Sequence, residues 1–511
     1  MENNNRGSWG SNIGFLLAAI GSAVGLGNIW GFPYKMGKCG GFTFLLVYLL
    51  LAAFVGFAIM CSELALGRKT ESAPIAAYKK IKTRFAGVGW LALIAPALIM
   101  TFYSVLGGYC IYYIVINLVG LFGTMPDSSS FGTLLTTPWI SLVVLLAFMV
   151  ICYFINKGGI SGGIEKFNKV GMPALFVMLV IIIIRAWTLP NAAEGLKFMF
   201  VPGYAVKAGF IEEAPSFISV LATAGGQMFF SLSLAMGAMI TYGSYLGKGE
   251  NLPKNSVVIV ISDTLVALMA GLAVIPAAVA NGINKGMAVA DIKLNGPNLL
   301  FSTLQDVFHD MGKIGGIFGM IFYILVLIAA ISSAISLIEV IVTTILDRKA
   351  NKEKTGNRSL ITLIVCVVIT AVACLVAADG LGSNGIAPAD LLKIDPAGWS
   401  DCWLDFMDCW SEGLAMPIGA MIMGLIIGWE LGPDSLFGEI TTGFKGNVNF
   451  LKAFYSICIK IVVPVVMAFI SAGSIADFFG NATVGYIIAL ALLVIFWILT
   501  FVAGKKNQAA K

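Results

Sequence analysis

Gly21-Ser-Ala-Val-Gly-Leu-Gly-Asn28, followed by Gly31 and Pro33, interrupts an otherwise apolar stretch at residues 12–37. A stretch of that length is enough to cross a bilayer as a helix. The glycines work against that helix, because each carries more backbone freedom than it can recover there. Unwound backbone in a membrane leaves amides and carbonyls without partners. It persists only where it is buried in protein or lines a cavity. The chain repeats the pattern once, with Gly225, Gly226 and Gly237 around Phe229-Phe-Ser-Leu-Ser-Leu-Ala-Met236.

Composition sets the frame. Of the 511 residues 59% are hydrophobic and 12% charged, and the mean hydropathy is +0.92. A soluble chain of this length would need charged helical faces that are missing here. The expectation is an all-α polytopic membrane protein with twelve transmembrane helices. They lie near 12–37, 41–66, 87–123, 137–155, 168–188, 216–246, 255–281, 314–345, 359–378, 404–430, 450–473 and 484–504.

The net charge of +5 is orientation information, and no nucleic-acid footprint is read from it. Arg68, Lys69, Lys79, Lys80, Lys82 and Arg84 follow the second span, and Arg348, Lys349, Lys352, Lys354 and Arg358 follow the eighth. Loops 124–136 and 474–483 carry no Lys or Arg. Both termini are therefore expected to be cytoplasmic, in the plasma (inner) membrane. Met1 to Gly10 does not read as a removable signal peptide. Spacing gives no support for a disulfide among Cys39, Cys402 and Cys409.

The two interrupted spans, first and sixth, stand five apart. They occupy matching positions in two halves of five spans, at 12–188 and 216–430, with two further spans at 450–504. Matching broken helices point to a transporter site at the bilayer midplane. Exposed carbonyls there can hold a cation, and the half-helix N-termini favour an anion such as a carboxylate. Glycines also serve close helix packing. Here they cluster beside Ser22, Asn28, Ser231 and Ser233, which favours the site.

The motifs around these breaks are Arg6-Gly-Ser-Trp9, Gly21 to Trp30, Phe32-Pro-Tyr34 and Glu63-Leu-Ala-Leu-Gly-Arg68. They continue through Gly159 to Pro173, Gln227 to Leu234, Thr241-Tyr-Gly-Ser-Tyr245 and Ala329-Ala-Ile-Ser-Ser333. Together and in this order they resemble the neurotransmitter:sodium symporter family. The resemblance implies a LeuT fold, with two inverted five-helix repeats and broken helices 1 and 6, in one domain over residues 1–511. It implies a sodium-coupled importer of an amino acid, acting as monomer or homodimer in the lipid bilayer.

By the same resemblance two Na+ sites are expected. One uses Ala23, Asn28, Ser231 and Asp263, the other Gly21, Val24, Ala329, Ser332 and Ser333. Substrate would meet Ala23, Leu26, Gly27, Tyr103, Ser231 and Ser233, with Ile99, Met236, Ser333 and Leu337 around its side chain and Phe230 as lid. The gates would involve Gln227 and Asp408 outside, and Arg6 with Asp347 inside, braced by Trp9, Ser244 and Tyr245. Glu63 is expected to be buried and to hold the unwound helices through their free amides.

Four positions depart from the family pattern. Asp263 stands where Asn is usual, and Ala267 where chloride-dependent members carry serine. A fixed carboxylate there offsets the charge of two sodium ions, so chloride is not expected. Ala235 replaces a usual glycine and would narrow the pocket, favouring a small or medium apolar amino acid. Gly31 replaces the usual outer-gate arginine, and Lys35, one turn above, could reach Asp408 instead. A proton-coupled carrier, or a channel or sensor on the same scaffold, is the alternative. An enzyme is not expected: no catalytic residues are identified, and the one histidine, His309, lies in an outer loop.

Overall fold

A computed structural model describes residues 8–292, 294, 296–350 and 357–509. The elements are helices, and no strand occurs among the described residues. The first expected span is two pieces, α1a (Asn12–Ala23) and α1b (Gly27–Lys38), bent by 48° at the break. Nine of the long helices are, in chain order, α2 (Phe42–Thr70), α3 (Thr83–Gly120), α4 (Pro138–Lys157), α5 (Ile160–Trp187), α7 (Leu252–Asn284), α8 (Gly312–Ala350), α9 (Arg358–Asp379), α10 (Trp403–Glu430) and α11 (Val448–Phe479). The tenth is α12 (Ala482–Ala509). Between α5 and α7 lie α6a (Phe217–Ser231) and α6b (Ala238–Gly243), each too short to cross a bilayer core alone.

Among the described residues ten helices are thus long and apolar enough to span, eleven with the bent pair. The expected twelfth is the split pair α6a–α6b. The fifth span begins at Ile160, earlier than expected, because Ile160–Ile164 winds as a π-turn onto the helix. Between α7 and α8 lie the short helices Gly296–Asn298, Leu299–Thr303 and Leu304–Asp310. His309 lies half-buried in the last of these. All nine cysteines are free.

Packing follows polarity. α8 runs along α3 and touches α1a and α5, while α7 packs on α5 and both parts of α1. α6a lies against α2 and α11. On α12, Ile487, Leu490 and Leu499 stand well exposed. Such an apolar outer face is what a hydrocarbon solvent requires of a span. Charged pairs gather at one end of the bundle. Glu430 takes Lys82 at 2.8 Å and also Arg84, and Arg68 takes Glu439 at 2.7 Å.

Candidate binding site between the broken helices

Each break has a backbone cause. α1a ends where Val24 turns extended, at φ −74° and ψ 102°. Between α6a and α6b, Ser233, Ala235 and Gly237 take φ of 52°, 59° and 74°. The left-handed region costs a non-glycine residue about 1–2 kcal/mol, so other contacts must hold Ser233 and Ala235 there. Ser233 Oγ donates to the Ser22 carbonyl at 2.7 Å, tying one break to the other. The Ala235 N–H donates to Glu63 Oε1 at 2.7 Å. Glu63 Oε2 has no hydrogen-bond partner among the described residues. The clamp expected to hold both unwound helices therefore reaches α6 through Oε1.

Asp263 of α7 is fully buried. Asn28 Nδ2 donates to its Oδ1 at 2.7 Å, and Ser231 Oγ to its Oδ2 at 2.9 Å. Tyr48 adds a hydroxyl at 3.3 Å. Asn28 Oδ1 accepts from the Gly25 N–H at 2.9 Å. Asn28, Ser231 and Asp263 therefore meet, while Ala23 lies on the wall of a neighbouring cavity. Tyr48 was missed by sequence reasoning. Its signal was a hydroxyl tip in an apolar span, where a buried phenol needs a partner.

The second expected set also converges. Ser332 Oγ lies 2.8 Å from the Ala329 carbonyl and 3.3 Å from that of Val24. Ser333 Oγ lies 3.4 Å from the carbonyls of Gly21 and Val24, and 3.0 Å from that of Ser22. Six oxygens from α1 and α8 thus lie close together, a donor set that suits a hard cation such as sodium.

A small cavity lies between the two breaks, beside Ser333 of the second group and Ala23 of the first. Gly25, Gly27, Tyr103, Ser233 and Ser333 form its polar wall; Ile99, Met236 and Leu337 form its apolar end. Phe230 covers it, with its ring centroid 6.4 Å from that of Tyr103. The Leu26 N–H donates to Tyr103 Oη at 3.0 Å. A Cβ on Gly25 would stand 2.4 Å from Ser333 Oγ and 2.5 Å from Tyr103 Oη, so only glycine fits there. Ser22 and Gly25 line the cavity but were not among the expected substrate residues. Ala235 is not in the wall; it turns to Glu63, so the expected narrowing by its methyl is not seen.

Toward the end away from the basic loops, Gln227 Nε2 donates to the Gly27 carbonyl at 2.8 Å. Lys35 reaches α10, but its ion-pair partner is Glu412, one turn beyond Asp408. Asp408 lies close enough to both to share their electrostatic field. Glu412 was missed. An acid four residues after Asp408 in an apolar span was its signal. At the basic end, Trp9 Nε1 donates to the Tyr242 carbonyl at 3.2 Å. Ser244 Oγ bonds the Thr241 carbonyl, and the Tyr245 hydroxyl meets Glu339 at 3.1 Å and Thr343 at 2.9 Å. Asp347 accepts from the Ala73 N–H at 2.8 Å. Arg6, its expected partner, lies outside the described residues.

The sodium:neurotransmitter symporter family model matches residues 6–123 and 127–506. The chain belongs to that family. Among relatives of this symporter is the sodium-dependent transporter YhdH of Bacillus subtilis, 32% identical over 92% of this chain and 98% of its own length. A sodium-dependent transporter of Methanocaldococcus jannaschii is 28% identical over 96% and 95%. Among solved structures, MhsT in complex with L-phenylalanine is similar at a TM-score of 0.78 and 31% identity, covering 92% of this chain and all of that one. The symporter thus has the LeuT-type fold expected from its motifs, and its relatives depend on sodium.

Proposed function

We propose that this protein imports an apolar amino acid with sodium, by alternating access and without chloride. The observation that carries the reading is the cavity between two helix breaks, with oxygen clusters formed by the same helices. The N-terminal end of α1b, with its positive dipole, suits the substrate carboxylate. Tyr103 adds a hydroxyl. Carbonyls and Ser233 at the α6 break suit the ammonium. Ile99, Met236 and Leu337 accept an apolar side chain, and flexible Met236 adapts to its size. The likeness to an L-phenylalanine complex supports this class and admits a side chain as large as that.

Two sodium ions would be carried. Asp263, Ser231, Ala23 and Asn28 hold one, Asn28 through its carboxamide oxygen, which must turn from Gly25 toward the ion. Gly21, Val24, Ala329, Ser332 and Ser333 hold the other. Asp263 supplies the negative charge that makes chloride unnecessary, since unpaired cations in a low-dielectric site are costly. Phe230, Gln227 and the Lys35–Glu412–Asp408 cluster close the outer side. Asp347, Trp9 and Tyr245 serve the inner side, with Arg6 as the proposed partner of Asp347. The halves 12–188 and 216–430 rock against each other around the site, both termini in the cytoplasm.

The test is uptake into proteoliposomes. A panel of labelled amino acids is offered under an inward sodium gradient, under a proton gradient alone, and with gluconate in place of chloride. Sodium-driven accumulation of apolar amino acids, unchanged in gluconate, is the expected result. Collapse in gluconate sinks chloride independence, and accumulation driven by protons alone sinks the sodium reading.

A further inference from the structure

Asn168 stands on α5, fully buried. Its Nδ2 donates to the Ile164 carbonyl at 2.9 Å, which fixes the direction of the carboxamide. Its Oδ1 is left with no hydrogen-bond partner among the described residues. Buried amide oxygens are rarely left so, because each forfeits its hydration without return.

The orphaned oxygen points somewhere specific. A Cβ built on Gly21 would stand 2.0 Å from Asn168 Oδ1 and 3.3 Å from Ser332 Cβ. The oxygen therefore presses on α1a where α1a meets α8. Gly21 and Ser332 are both in the oxygen cluster proposed above for the second sodium. Glycine at 21 is what lets α5 come this close.

We propose that Asn168 Oδ1 is a further oxygen donor to that sodium site, brought in by a third helix. The inference rests on the sodium reading of the cluster. A weak Cα–H···O contact to Gly21 compensates an amide oxygen poorly. A cation shared with Ser332 and the Gly21 carbonyl compensates it fully. The consequence is mechanical. With sodium bound, α5, α1a and α8 are held by one ion. When sodium leaves, the unpaired oxygen favours separation of α5 from α1a, which links ion release to movement of α1a.

The experiment uses the full-length purified protein. Binding of radioactive sodium is titrated at constant ionic strength, and unfolding temperatures are recorded in NaCl and in KCl. Asn168→Ala should raise the half-saturating sodium concentration about fivefold to tenfold, with unfolding in KCl unmoved. A half-saturation within about twofold of wild type overturns the proposal. So does a weaker affinity accompanied by an equal loss of stability in KCl, since that is a packing role. If Asn168→Ala does not fold, Asn168→Asp decides: a ligand position binds sodium more tightly when it gains charge, and unchanged or weaker binding overturns the proposal. Failure of the wild type to bind sodium would instead remove the reading on which this rests, so the two failures are distinct.

Discussion

Asp263 carries most of the chemical argument, because a carboxylate at full burial must have a use that offsets its desolvation. Its three hydroxyl and amide donors come from α1b, α2 and α6a, so one charge holds three helices. Asp263→Asn keeps the shape and removes the charge. Sodium-dependent uptake should then need at least about tenfold more sodium, read from a sodium titration in proteoliposomes. Ala235 offers a converse case. At φ 59° its methyl is strained, and Ala235→Gly should raise stability by about 0.5–1 kcal/mol net of the extra freedom of the unfolded chain. Thermal unfolding without substrate measures it; a fall would mean that the methyl packs better than the backbone suffers. Asp263 was legible as an acid in an apolar span. That Ala235 faces Glu63 and not the cavity was not legible, because the direction of an unwound residue depends on the backbone path.

The two breaks are held by their neighbours. Glu63 of α2 gives an acceptor to the Ala235 amide, which no helix satisfies. Glu63→Ala should cost about 1–3 kcal/mol, while Glu63→Gln, which keeps an acceptor oxygen, should cost less. Unfolding of the two variants side by side checks the order. Between α1b and α10, Lys35 and Glu412 pair with little solvent, their side chains 18% and 12% exposed. Lys35→Ala leaves two adjacent carboxylates without their cation. Bound substrate should then dissociate about tenfold faster outward, measured by chase of labelled amino acid. The charge swap Lys35→Glu with Glu412→Lys should recover part of the loss. An unchanged dissociation rate in Lys35→Ala removes this pair from the gate.

Across the bundle, the oxygen clusters lie at the junctions of α1, α6, α7 and α8, and the rest of the molecule encloses them. Sodium binding at these junctions should stabilise the folded state in proportion to occupancy. Unfolding temperature should therefore rise with NaCl and not with KCl or choline chloride, and rise further with a bound apolar amino acid. No difference between the salts would contradict a sodium-coupled carrier.

The membrane character, the approximate spans and the position of the two breaks were readable from the chain alone. A bilayer demands long apolar segments, and glycine clusters inside them have few tolerable explanations. The ordered motifs added the fold and named the oxygens that converge at the second cluster. Folding was needed to choose among side chains of similar reach. Glu412 takes Lys35 although Asp408 lies one turn before it on the same helix, a choice that the height of α1b against α10 makes. Asn168 looks in sequence like any polar residue of a span; its unpaired oxygen exists only because α5 approaches Gly21. Period and hydropathy specify which residues lie in a helix. The rotation and height of each helix against its neighbours arise from packing of the whole bundle, and they decide which groups meet.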